Sequence, residues 1–131
     1  MQERTFGDVI VLVDDNEDML QIFKAYLTKN GYNVHAFSDP KMAYEHIKYA
    51  PGEFAVLLSD IRMSSMSGFE LARDVKALNS KIKIIFMTAF DFTQSELQDF
   101  LPPTEIDIIL EKPFRLERFN ELLKDIIPIR A

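Results

Sequence analysis

The sequence predicts an α/β fold, a parallel sheet wound on both faces by helices. Two observations predict it. Short apolar runs alternate with helix-period segments five times along the 131 residues. Such alternation implies right-handed crossovers and a parallel sheet covered on both sides. No repeat, low-complexity tract or internal linker interrupts the pattern, so residues 1–131 read as one domain with a core at about 8–127.

Each element has a local reason. VIVLV (9–13) is a strand apolar on both faces. Over 16–30, Leu20, Phe23 and Leu27 fall on one face of a helix, and Gly31 closes it. YNVHAF (32–37) alternates, as a strand at a sheet edge does. Asp39 and Pro40 are the N-cap and first-turn proline of a helix with Ala43, Ile47 and Ala50 on one face. AVLLS (55–59) is the third strand, and Gly68 opens a helix carrying Leu71, Val75 and Leu78. IKIIFMT (82–88) is the fourth strand, followed by a short helix with Leu97, Phe100 and Leu101 that stops at Pro102-Pro103. DIIL (107–110) is the fifth strand, and 115–127 closes with Leu116, Phe119, Leu122, Leu123 and Ile126 inward.

Composition excludes several classes of function. A chain of this size can bury roughly 68% of its unfolded surface, so a core forms without staples. There is no cysteine, hence no disulfide framework and no thiolate metal site. The net charge of −6 argues against nucleic acid as a direct partner, because phosphate binding needs clustered Lys and Arg. MQERTFGD lacks the apolar stretch of a signal peptide, and no run approaches a membrane span. The chain reads as soluble and cytoplasmic, with no membrane association expected.

In a doubly wound sheet, ligands bind at the carboxyl ends of the strands. The first run ends in Asp14-Asp15, the third in Ser59-Asp60, the fourth in Thr88-Ala89 and the fifth in Glu111-Lys112-Pro113. Three carboxylates, a hydroxyl and an ammonium should therefore meet at one rim. Adjacent acids are tolerable there if a hard divalent cation sits among them, and Mg2+ needs only one or two carboxylates plus phosphate oxygens. A carboxylate beside such an ion and a lysine is placed to attack a phosphoryl group.

VLVDDN, LLSDIRMSSMSG, IIFMTAF and ILEKPF are similar, in order and position, to the four signatures of response-regulator receiver domains. The resemblance spans about residues 8–127. It implies the CheY-like, flavodoxin-like (βα)5 fold in three layers, with strand order 2-1-3-4-5. It implies that Asp60 is the phosphoacceptor, loaded from a sensor histidine kinase or a histidine phosphotransfer protein. Asp14 and Asp15 would hold Mg2+ with Asp60 and the backbone carbonyl of Arg62. Thr88 would bond the phosphoryl group, Lys112 would pair with it, and the Lys112–Pro113 peptide would be cis. The output partner is unspecified, and a phosphorylation-dependent homodimer is compatible with the family. The sequence departs from the pattern at Ser64 in place of proline and at Ser67 in place of aspartate. It departs again at Ile109, where an aromatic switch residue is usual, and at LPPTEID before the fifth strand. Signalling is then expected to rely on Thr88 and the loop after it, with Phe90 or Phe92 as the moving ring. In the family, the positions two after the phosphoacceptor and two after the threonine flank the path of the attacking water; here they are Arg62 and Phe90, and neither is a carboxylate or amide suited to orient it.

Plainer readings exist for each residue alone. Asp14 and Asp15 could be a helix cap and a solvated charge, Asp60 a turn residue, Thr88 a strand end and Lys112 a surface lysine. Their recurrence at matching strand ends argues against this. His35 and His46 read as surface residues, and Phe23, Phe69, Phe86, Phe114 and Phe119 as core. Two other functions use similar parts. A haloacid-dehalogenase-type phosphohydrolase has its nucleophile on strand one in Asp-x-Asp, whereas the acids here are adjacent. A flavin module needs a Ser/Thr/Gly-rich phosphate loop, whereas DDNEDM is acidic.

Overall fold

The computed structural model describes residues 8–88, 108–112 and 114–127. The expected helix at Leu97, Phe100 and Leu101, the Phe90/Phe92 pair and Pro113 lie outside them. The elements are β1 (Val9–Val13), α1 (Glu17–Lys29), β2 (Asn33–Phe37), α2 (Pro40–Tyr49), β3 (Phe54–Asp60), α3 (Gly68–Leu78), β4 (Lys83–Thr88), β5 (Ile108–Glu111) and α4 (Glu117–Ile126). All five strands are parallel, in the order β2-β1-β3-β4-β5. This is the expected doubly wound sheet.

Its two faces make two cores. Val11, Val13, Leu57, Ile84 and Phe86 pack with Ala43 and Ile47 of α2 and with Phe69, Leu71 and Val75 of α3. On the other face, Ile10, Leu12, Val56, Leu58 and Ile85 pack with Leu20, Phe23 and Leu27 of α1 and with Phe119 and Leu123 of α4. The central strands must be apolar on both sides for this, which is why β1 is buried at every position. β2 has one strand neighbour, and its outer positions are partly exposed, as its alternation implied.

The ends of the helices follow their capping residues. Gly31, at φ +94°, closes α1: its N–H donates to Thr28 and that of Tyr32 to Leu27, the paired bonds of a Schellman motif. Asp39 caps α2 by accepting from the Lys41 N–H at 2.9 Å. Ala50 does not extend that helix. It is the C-cap, because the residue before a proline is pushed out of the α region, and Pro51 follows. Ser67 caps α3, and Glu70 returns the bond to the Ser67 N–H, a reciprocal capping box. The serine that departs from the family pattern thus supplies the same oxygen acceptor an aspartate would.

One expectation fails. His35 and His46 are not freely exposed. Both are half-buried, and His35 Nδ1 lies 2.8 Å from His46 Nε2.

Candidate functional site

The parallel register aligns the carboxyl ends of β1, β3, β4 and β5. Val13 pairs with Ser59, Asp60 with Met87, and Thr88 with Glu111. The residues just past these pairs converge.

Asp14 is fully buried. Its N–H donates to the Phe37 carbonyl at 3.2 Å, so β2 holds its backbone. Its Oδ1 accepts from the Asn16 N–H at 2.9 Å, and its Oδ2 from Lys112 Nζ at 3.4 Å. Asp15 is exposed at the rim. Asp60 is partly buried; its Oδ1 accepts from the Ile61 N–H at 2.8 Å and its Oδ2 from Lys112 Nζ at 3.1 Å. Lys112 therefore bridges two carboxylates that come from different strands. Its own position is set by its N–H, which donates to the Thr88 carbonyl at 2.6 Å. Thr88 is buried at the end of β4, and Arg62 is exposed just beyond Asp60. Ile109 is half-buried against the α2/α3 core and also lines a groove of about 430 Å³ with Phe114, Arg115 and Arg118.

The electrostatics are unbalanced. One carboxylate oxygen from each of Asp14, Asp15 and Asp60 lies within 4.8 Å of the others, and one ammonium faces them. Burial pushes the Asp60 carboxyl above the usual aspartate range; Lys112 pulls it down and Asp14 pushes it up again. Lys112 moves upward too. Burial works to lower it, but Asp60 and Asp14 together outweigh that cost. The two shifts fit one picture: the lysine has two anionic partners, while Asp60 shares one cation with Asp14. Among the described residues, the Lys112 ammonium does not balance the three carboxylates, and their donors are hard oxygens, the set that suits a divalent cation.

Two structural contributors could not be named from composition or pattern. Ser59 is fully buried and donates to the Asp60 carbonyl at 2.8 Å, fixing the peptide beyond the acid. Gly68 packs so closely on that same carbonyl that a Cβ would collide with it. Its N–H also donates to the Ile61 carbonyl at 2.8 Å. The sequence marked Gly68 only as a helix start.

A doubly wound sheet with an acid–lysine pocket at its carboxyl rim defines the class. The chain belongs to the response regulator receiver domain family, whose model matches residues 10–124. It is 36% identical over 119 residues to the response regulator receiver protein CpdR of Brucella abortus, covering 90% of this chain and 96% of that protein. It is 27% identical over 118 residues to the transcriptional regulatory protein RprY of Bacteroides fragilis, covering 90% of this chain and 48% of that one. The chain therefore spans nearly all of the first and about half of the second. The non-phosphorylated HemR receiver domain of Leptospira biflexa superposes with a TM-score of 0.78 at 27% identity, over 94% of this chain and 96% of that one. The chain is thus a receiver domain of the two-component response regulators, and the phosphohydrolase reading falls. Among the described residues no helix is long and apolar enough to cross a membrane.

Proposed function

We propose that the whole chain acts as one cytoplasmic receiver unit. Asp60 accepts a phosphoryl group from the phosphohistidine of a sensor kinase or phosphotransfer protein, and the resulting change of conformation controls a partner. The observation that carries this is the bridge from Lys112 Nζ to Asp60 Oδ2 and Asp14 Oδ2, at 3.1 and 3.4 Å. The Ile61 N–H on one oxygen and Lys112 on the other fix the plane of the Asp60 carboxylate before the donor arrives. Its raised basicity favours attack once it is ionised. In the transfer, an Asp60 oxygen bonds to phosphorus as the phosphorus–nitrogen bond of the donor breaks, and the donor imidazole leaves with the electron pair. Lys112 then pairs with the new phosphoryl oxygens, and the Thr88 hydroxyl donates to another. Asp14, Asp15, Asp60 and the Arg62 carbonyl fit Mg2+, which would neutralise the phosphoryl oxygens when bound.

The protein is a switch and not a turnover enzyme. Incubation with acetyl phosphate and Mg2+ is expected to add one phosphoryl group per chain, and Asp60→Asn to add none. Sustained phosphate release from many phosphomonoesters, with no adduct, would contradict the proposal.

Arg62 and Phe90 set the lifetime of the adduct. In sequence, Phe90 is an apolar residue two positions after Thr88 and Arg62 a cation two positions after Asp60, and neither type can orient an attacking water. Loss of phosphate from purified phosphoprotein is expected to quicken about tenfold in Phe90→Ala, the equivalent of about 1.4 kcal/mol of barrier. Arg62→Ala should quicken it less. Equal rates in wild type and both variants would leave no role for shielding.

A further inference from the structure

The half-buried histidines form a second constellation, away from the acid pocket. His35 comes from β2 and His46 from α2, and their facing nitrogens are 2.8 Å apart. The rings cross at 64° with centroids 4.9 Å apart. Phe37 packs on His46 at 5.0 Å, and Phe54 packs on both rings, at 6.0 Å from His35 and 5.4 Å from His46. Aromatic neighbours thus flank the two crossed imidazoles, while each keeps part of its surface in water.

As a neutral pair, they share one hydrogen bond: one ring offers an N–H and the other a lone pair. If the donating ring moves its proton to its other nitrogen, both rings stay neutral and two lone pairs converge. Imidazole nitrogens suit first-row transition metals, in contrast to the all-oxygen pocket at Asp60. With metal–nitrogen bonds of about 2.0–2.1 Å, two nitrogens on one ion lie about 3.3 Å apart at a tetrahedral angle but about 2.9 Å apart at a right angle. The right angle belongs to square-planar and tetragonal Cu(II) and Ni(II). The observed spacing is already close to that value.

We propose that His35 and His46 form a two-imidazole chelate for Cu(II) or Ni(II) that staples β2 to α2. Water completes the coordination. Burial and then His46 push the His35 imidazole below its usual range, against the pull of Glu53, and this favours the neutral ring that carries a free lone pair. Glu53 lies outside the coordinating pair. The tie has a route to the phosphoacceptor pocket, because the Phe37 carbonyl that follows along β2 holds the Asp14 N–H.

The test is calorimetric titration of Cu(II), Ni(II) and Zn(II) into the protein with excess Mg2+ present to fill the acid pocket. One Cu(II) per chain is expected, bound more tightly than Ni(II) and Zn(II), with two imidazole nitrogens in its electron paramagnetic resonance spectrum. His35→Gln and His46→Gln are each expected to weaken Cu(II) binding roughly ten- to hundredfold. Unchanged affinity in folded variants would overturn the proposal, as would Zn(II) binding more tightly than Cu(II). In the wild type, Cu(II) should first broaden the amide resonances around His35 and His46. Broadening centred on Asp14 and Asp60, or on the N-terminus, would also overturn it. None of these readouts depends on phosphorylation.

Discussion

Asp60→Asn is expected to raise the melting temperature of the metal-free protein at neutral pH. The effect should be on the order of 1 kcal/mol, or a few degrees. Burial holds the folded Asp60 carboxyl above its ordinary value, with Asp14 adding to the shift against the pull of Lys112. The folded state then binds a proton more readily than the unfolded one, so stability falls as pH rises from the ordinary aspartate value through the folded value. Above that window the penalty is complete, and asparagine removes it. Below about pH 3.9, where an ordinary aspartate is protonated, the two proteins should melt alike. Lys112 works in the opposite sense. Its raised value contributes stability at all lower pH, lost as pH climbs through the folded value above the usual lysine range. Asp60→Asn removes one of its two anionic partners, so the variant should lose less on that alkaline side. Mg2+ supplies the missing positive charge by another route. At ten times its dissociation constant it should stabilise the wild type by about 1.4 kcal/mol, and the variant by less. Melting curves across pH, with and without Mg2+, check all of this. A wild type indifferent to Mg2+ would contradict the charge argument.

Gly68→Ala is expected to be more damaging than its size implies. The new Cβ would meet the Asp60 carbonyl oxygen, which is backbone and cannot swing aside. That carbonyl also accepts from the buried Ser59 hydroxyl. Relief must therefore come from shifting the start of α3 or the end of β3. Overpacking of this kind costs about 1–3 kcal/mol. Any shift at the end of β3 displaces Asp60 relative to Lys112, so phosphoryl uptake should fall as well. Gly52→Ala is the control, because nothing lies within 4 Å of a Cβ there. Chemical denaturation of both variants, with uptake from acetyl phosphate, makes the comparison. Equal stability in the two would mean that Gly68 does not hold the loop.

Much of this was legible from residue order alone. The runs VIVLV and KIIFMT are apolar on consecutive positions because both faces of a central parallel strand are covered. Asp14, Asp60 and Lys112 are readable as neighbours, with Thr88 at the same rim, because each follows such a run and a parallel sheet brings all its carboxyl ends to one side. Other features depend on distances that no pattern encodes. Gly68 resembles any helix-opening glycine until the Asp60 carbonyl is seen against it. Ala50 continued the apolar spacing of α2, but the proline after it sets the end of the helix. Polarity alone puts His35 and His46 outside. A weak signal exists: His35 shares a face of β2 with Phe37, which packs on the α2/α3 core, and His46 lies three residues past Ala43 and beside Ile47. Two polar rings can enter that face because each satisfies the other.

The central claim is that Asp60, among three clustered carboxylates, takes the phosphoryl group. Borohydride reduces an acyl phosphate to a primary alcohol and so converts the modified aspartate to homoserine. Phosphorylate the protein with acetyl phosphate and Mg2+, reduce it, digest it and sequence the peptides by mass spectrometry. Homoserine at position 60, with Asp14 and Asp15 unchanged, is the predicted result. Homoserine at position 14 or 15, or at no position in a protein that has taken up phosphate, would contradict it.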